Sequence, residues 1–141
     1  MTVFSISRIR KFEDCPRAYK FRYIEKPEVE EVRNIYGFLG SRVHETLEKL
    51  YLELMEGRQI RIWALLDYYD DIWDQKWDDD IKIYSNKYSM EDYKQTGEEC
   101  IRNYFFSNEP FDRDETVDIE LNLRCELNAF GEEYKFQGYV D

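Results

Sequence analysis

Cysteine is scarce in this chain, and what there is does not pair. Cys15, Cys100 and Cys125 are the only three. They form neither an even set nor a CxxC pair, which argues against a disulfide framework. Histidine is scarcer still, with His44 alone. No run reaches the ~18 apolar residues that a membrane-spanning helix needs. The start, Met1-Thr2-Val3-Phe4-Ser5, lacks a charged segment followed by an apolar one, so no secretory leader is read there and a cytoplasmic protein is expected. Internal repeats and low-complexity linkers are absent too. A single domain over residues 1–141 is therefore the expectation.

What is present can build a core. The chain is 43% hydrophobic and 17% aromatic, too apolar for a disordered segment despite 36% charged residues. Its formal net charge of −11 works against a nucleic-acid backbone as partner. The distribution softens that objection. Met1 to Lys26 carries seven basic residues against three acidic, a net +4. A basic segment can hold phosphates within an acidic protein, with less long-range steering.

The first two-thirds reads as helical. Ser5 is placed to cap a helix through Phe12, with Ile6, Ile9 and Phe12 as its buried stripe. Pro16 suits the first turn of a second helix to Ile24, which spreads Arg17, Lys20 and Arg22 around Tyr19 and Tyr23. These charges are either a solvated face or a phosphate-contacting one. Residues 41 to 56 form a long helix with Val43, Leu47, Leu50 and Leu54 on one face, ended by Gly57. Ser41 as its cap would place His44 in the first turn, where the helix dipole favours a neutral imidazole and a nearby anion. Gly40 would admit a close backbone approach. The plain alternative is a packed, hydrogen-bonded histidine.

Residues 60 to 76 give a third helix, whose outer face holds Asp67, Asp70, Asp71 and Asp74. These acids and Asp78-Asp79-Asp80 read as a solvated surface, because the mid-loop glycine and terminal glutamate of an EF-hand are missing. Ser89 followed by Asp92 marks the start of a fourth helix running to about Phe106, with Cys100 as a buried hydrophobe beside its apolar face. The period then changes from helical to alternating. Val117, Ile119, Leu121 and Leu123 face one way along a strand, and residues 134 to 141 form a second strand after a turn at Asn128 to Gly131. The class expected is α+β, helices packed on antiparallel strands, with residues 1–110 helical and a β-hairpin over 115–141. A two-stranded ribbon is marginal alone, so the sheet looks incomplete.

Glu120 and Asp141 lie on the polar faces of the two strands. In a hairpin they can share one side, and paired hard oxygen ligands suit Mg²⁺ or Mn²⁺. A histidine from a neighbouring helix would complete a mixed site for metal-activated water and phosphodiester hydrolysis. The commoner role of such acids is the wet face of a strand.

The spacing Ser5-x-Ser7, Phe12-x-x-Cys15-Pro16-Arg17-x-x-x-Phe21-x-Tyr23, then Gly40-x-x-x-His44-x-x-Leu47-Glu48-x-x-Tyr51, then Glu120, then Gly138-x-x-Asp141 resembles the RecB-like and CRISPR-associated RecB-like exonucleases of the PD-(D/E)XK superfamily. The resemblance covers nearly the whole chain. It implies the first part of a restriction-endonuclease-like core, with His44 and Asp141 catalytic and His44, Glu120 and Asp141 as metal ligands for Mg²⁺ or Mn²⁺. It further implies DNA, as single strands or ends, as substrate, with Arg8, Arg17, Lys20 and Arg22 as contacts. Nuclease, helicase or CRISPR subunits are the implied partners, in repair, recombination or CRISPR adaptation. Cys15 matches one ligand of a [4Fe–4S] cluster found in some members, a cluster that Cys100 and Cys125 do not complete here. The superfamily pattern also needs a (D/E)-x-K after Asp141, and Glu133-Tyr134-Lys135 stands in the wrong order. The expectation is therefore an N-terminal portion of a longer nuclease domain that does not cut DNA by itself. The competing reading is a non-enzymatic, acidic helical module that binds a protein partner and is indifferent to metal.

Overall fold

A computed structural model describes residues 3–28, 32–113, 116–119 and 121–140. The chain divides into two compact units: Met1–Glu30 with Asp118–Asp141, and Glu31–Val117. The class is α+β, as the change of period implied.

The terminal unit holds β1 (Val3–Phe4), α1 (Ile6–Asp14), α2 (Pro16–Tyr19), a π-helical segment (Lys20–Glu25), β2 (Leu121–Ala129) and β3 (Glu132–Val140). Ser5 caps α1 by accepting from the Arg8 N–H at 3.2 Å, and Pro16 opens α2. The second helix is not one α-helix to Ile24: its last turn widens so that the Lys26 N–H bonds the Phe21 carbonyl. Strands β2 and β3 pair antiparallel from Leu121↔Val140 to Ala129↔Glu132. Phe130 and Gly131 make the two-residue turn, both at positive φ (55° and 80°), the twist that matches a hairpin. Glycine adopts that conformation freely, whereas Phe130 holds it as a fully exposed side chain.

The sheet departs from the expected hairpin in one respect. Val3–Phe4 adds a third strand, parallel to β3, with Phe4 opposite Phe136, so the sheet is mixed with order β1-β3-β2. Two residues are too short for a periodicity to show. Their signal is tertiary: the Phe4 ring lies 5.9 Å from Phe136 and 6.4 Å from Tyr134. A second correction concerns α1, whose stripe of Ile6, Ile9 and Phe12 is exposed. Within its unit the helix is held by Arg8 and by the Phe12 ring, edge-on to Tyr19 at 5.3 Å.

The helical unit consists of α3 (Ile35–Met55), α4 (Ile62–Lys76) and α5 (Met90–Asn108). Its core contains Ile35, Leu50, Leu65, Tyr69, Trp73 and Ile101, all without solvent contact. Val43, Leu47 and Leu54 pack on this core as the spacing predicts. A capping box starts α5: Ser89 Oγ accepts from the Asp92 N–H, and Asp92 accepts from the Ser89 N–H. That backbone bond holds the Asp92 carboxyl below its usual range. Cys100, expected as a buried hydrophobe, is exposed. The interior positions of α5 are taken by Tyr93, Gly97, Ile101 and Phe105.

Gly97 is a site of tight packing between α5 and α4. A Cβ there would collide with the Tyr69 hydroxyl, and would lie 2.7 Å from Tyr69 Cζ and 2.8 Å from Leu39 Cδ1. Tyr69 cannot swing away, because it is fully buried and its hydroxyl donates to the Lys94 carbonyl at 3.2 Å. Burial pushes the Tyr69 phenol well above its ordinary pKa. Gly97→Ala should cost about 2 kcal/mol. Overpacking of about 3 kcal/mol is offset by about 1 kcal/mol of better helix propensity. Urea denaturation measures it. Adding Tyr69→Phe should recover only part of the loss, because Cζ and Leu39 stay in place.

Candidate metal and nucleic-acid site

The residues singled out by the sequence fall in both units. His44 is on α3, in the helical unit, and is exposed. It is not in a first turn. Helix α3 begins earlier, at Ile35, because Asn34 accepts from the Gly37 N–H at 3.0 Å and because Ile35 and Phe38 are buried. Ser41 is not the cap: its hydroxyl donates to the Gly37 carbonyl at 2.9 Å, inside the helix. The dipole argument for a neutral His44 therefore falls, since that field fades within the first turn. Gly40 has open space where a Cβ would be, so close approach does not explain it. Asn34→Ala should destabilise the helical unit by about 1 kcal/mol; thermal melting checks it, and Ser41→Ala should have a smaller effect.

Around His44 the α3 surface is set by ion pairs. Glu45 meets Arg42 at 3.1 Å and Lys76 of α4 at 2.6 Å. The Arg42 guanidinium lies 5.1 Å from the centre of the Phe38 ring. Just over two helical turns further on, Glu53 is clasped by Lys49 at 2.5 Å and by Arg58. The Arg58 bond, then that of Lys49, hold its carboxyl down to about 2.

Glu120 and Asp141 lie outside the described residues, as part of the terminal unit's sequence. Among the described residues no group of three or more histidine, cysteine, aspartate or glutamate side chains gathers as a metal set. Cys15 is exposed and its sulfur accepts from the Ala18 N–H at 3.4 Å. Cys100 and Cys125 are exposed as well.

The four basic residues read as DNA contacts behave differently from one another. Arg8 is engaged within its own unit. Its Nε donates to Tyr19 Oη at 3.1 Å and its Nη1 to the Val3 carbonyl at 3.2 Å. Its guanidinium sits 4.8 Å from the Tyr23 ring centre and 5.5 Å from those of Phe4 and Tyr19. It ties β1, α1, α2 and the π-helical segment together. Lys20 pairs with Glu25 at 2.7 Å. Arg17 and Arg22 lie over Phe21 and Tyr23, each at 5.8 Å, and keep their charge at the surface.

The sequence model of the PD-(D/E)XK nuclease superfamily matches residues 3–141. The chain belongs to that superfamily. No curated protein and no solved structure gives a significant match. Membership makes this PD-(D/E)XK protein nuclease-related, and implies a metal-dependent phosphodiesterase that acts on nucleic acid. No helix among its described residues is long and apolar enough to cross a membrane.

Sequence reasoning missed two features of this superfamily member. Tyr51 and Tyr104 share a hydroxyl hydrogen bond of 2.6 Å between α3 and α5. Beside them, Arg113 lines a cavity with Tyr51 and Phe111. Neither has a local signature, since 53 residues separate the two tyrosines.

Proposed function

We propose that this protein belongs to a RecB-like, divalent-metal-dependent exonuclease acting on DNA as single strands or ends. The observation that carries it is the superfamily match over residues 3–141, which spans His44, Glu120 and Gly138-x-x-Asp141 in the order the pattern requires. His44, Glu120 and Asp141 are the proposed ligands. One imidazole and two carboxylates form a donor set that fits Mg²⁺ or Mn²⁺. A bound cation would supply activation of water and stabilisation of charge on the phosphate. The chain's own contribution is to present these donors and to orient the strand.

Arg17 and Arg22 are the proposed backbone contacts, with charge at the surface and aromatic rings behind it. Arg8 is better assigned to holding that surface in shape. The test is cleavage of end-labelled single-stranded and duplex DNA by the full-length protein. Degradation should occur from the ends with Mn²⁺ or Mg²⁺ and stop with a chelator. Cleavage that is indifferent to chelation, or the absence of cleavage with either metal, would sink the proposal. DNA repair or CRISPR adaptation with further subunits is the setting this activity would serve.

A further inference from the structure

The sheet of the terminal unit has a long open edge. Its order β1-β3-β2 leaves β2 (Leu121–Ala129) with one neighbour among the described residues. The pairing with β3 runs over the full strand without a bulge, and β2 holds no proline and no lysine. Eight of its nine residues are exposed. Bulges, prolines, lysines or a covering segment normally blunt such an edge, because its unpaired N–H and C=O groups invite another strand.

The hairpin fixes which groups those are. Ala129 and Glu132 close the two-residue turn, so their backbone groups bond each other. Alternation then directs the N–H and C=O of Leu121, Leu123, Cys125 and Leu127 toward β3. Those of Asn122, Arg124, Glu126 and Asn128 point outward along the free edge.

The strand is complementary to its own reverse. It reads Leu-Asn-Leu-Arg-Cys-Glu-Leu-Asn-Ala. An antiparallel second copy, related by a two-fold axis at Cys125, sets Arg124 opposite Glu126, Leu123 opposite Leu127 and Asn122 opposite Asn128. The pairs that bond through the backbone are Arg124 with Glu126 and Asn122 with Asn128, the outward-pointing ones. Adjacent registers fail on charge. An axis at Arg124 sets arginine against arginine, and one at Glu126 sets glutamate against glutamate. Lys135 already donates to Glu126 Oε1 at 2.7 Å, and a carboxylate has room for an arginine as well. The apolar residues agree. Leu121, Leu123 and Leu127 are 38%, 50% and 55% exposed, and in this register each meets a leucine or Ala129 of the other copy.

We infer that β2 pairs with β2 of a second copy of this chain, antiparallel about Cys125, to make one continuous sheet with three strands from each copy. A self-matching edge fits an isologous contact, in which one patch serves both subunits. The dimer depends neither on metal nor on the nuclease reading.

Sedimentation equilibrium of the protein should show a reversible dimer. Arg124→Glu and Glu126→Arg should each weaken it at least about tenfold, because like charges then face each other on both sides of the axis. An equimolar mixture of the two variants should dimerise as the parent does, since every acid then faces an arginine. Cysteine gives a second readout. Cα atoms at a non-hydrogen-bonded antiparallel pair stand about 4.5 Å apart, inside the roughly 4.4–6.8 Å span of a disulfide. With Cys15 and Cys100 replaced by serine, diamide should link two copies through Cys125, the two thiols giving their protons and electrons to the diamide. Cys125→Ser should abolish the link and keep the dimer. A monomer at every concentration tested overturns the inference. So does a dimer that both charge variants leave intact, one that their mixture fails to restore, or one that diamide does not link. Slow amide exchange at Arg124 and Glu126 in a monomer would mean that a different strand, of this protein or another, holds the edge, and would overturn it too.

Discussion

Replacing His44 by alanine, or Asp141 by asparagine, is expected to lower metal-dependent cleavage by the full-length protein at least about 100-fold. Loss of one group that stabilises developing charge in a site typically costs about 10²–10³-fold. Asparagine keeps the shape of Asp141 and removes the charge that a hard cation needs. His44 is exposed on α3 and is not among the buried core residues, so His44→Ala should lower the melting temperature far less than a core substitution. Activity lost with stability retained is the pattern that separates a ligand from a packing residue. An acidic interaction module predicts the opposite, no response to metal and none to either substitution. If both variants cut DNA as fast as the parent, the assignment of these two positions is wrong. Glu120→Gln should give a smaller loss, because that acid matches the pattern less closely.

Trp73→Ala is expected to cost the helical unit about 3–5 kcal/mol, the usual price of removing a large aromatic from a packed core. Trp73 has no solvent contact and sits at the centre of an aromatic stack. Phe38 meets it edge-on at 4.9 Å, Trp77 stacks on it at 6.2 Å, and Tyr69 lies 5.7 Å away. Its indole N–H donates to Met90 Sδ at 3.3 Å, which joins α4 to the first turn of α5. Truncation would leave a cavity bounded by three helices. With a total stability of about 5–15 kcal/mol for a typical domain, the variant would be partly unfolded at 37 °C. The melting temperature should fall by about 15–30 °C, as read by circular dichroism. Trp73→Phe should lose much less, because it keeps most of the volume. A melt for Trp73→Ala that overlays the parent's would show that the helices are not joined through this residue.

The sequence carried the helices because their signals are local. Val43, Leu47, Leu50 and Leu54 repeat at helical spacing, and Ser5 and Ser89 stand where caps are needed, so burial and capping follow from neighbours three or four positions away. The alternation after Val117 likewise announced strands, although paired β2 starts only at Leu121. It also carried the superfamily, since a family model matches the string over residues 3–141.

Other features were beyond its reach. Ser41 read as the cap; burial of Ile35 and Phe38 starts the helix at Asn34 instead and carries His44 into the body of the helix. Arg8 looked like a phosphate contact until Tyr19, Tyr23 and Phe4 closed around it. The strand at Val3–Phe4, the fit of Gly97 against Tyr69 and the cavity beside Arg113 each depend on groups far apart in the chain. Local pattern determined the helices, the long β-hairpin strands and the family they belong to. Only packing decided which charged side chains are spent on structure and which stay free to meet a ligand, because that depends on what the folded chain brings beside them.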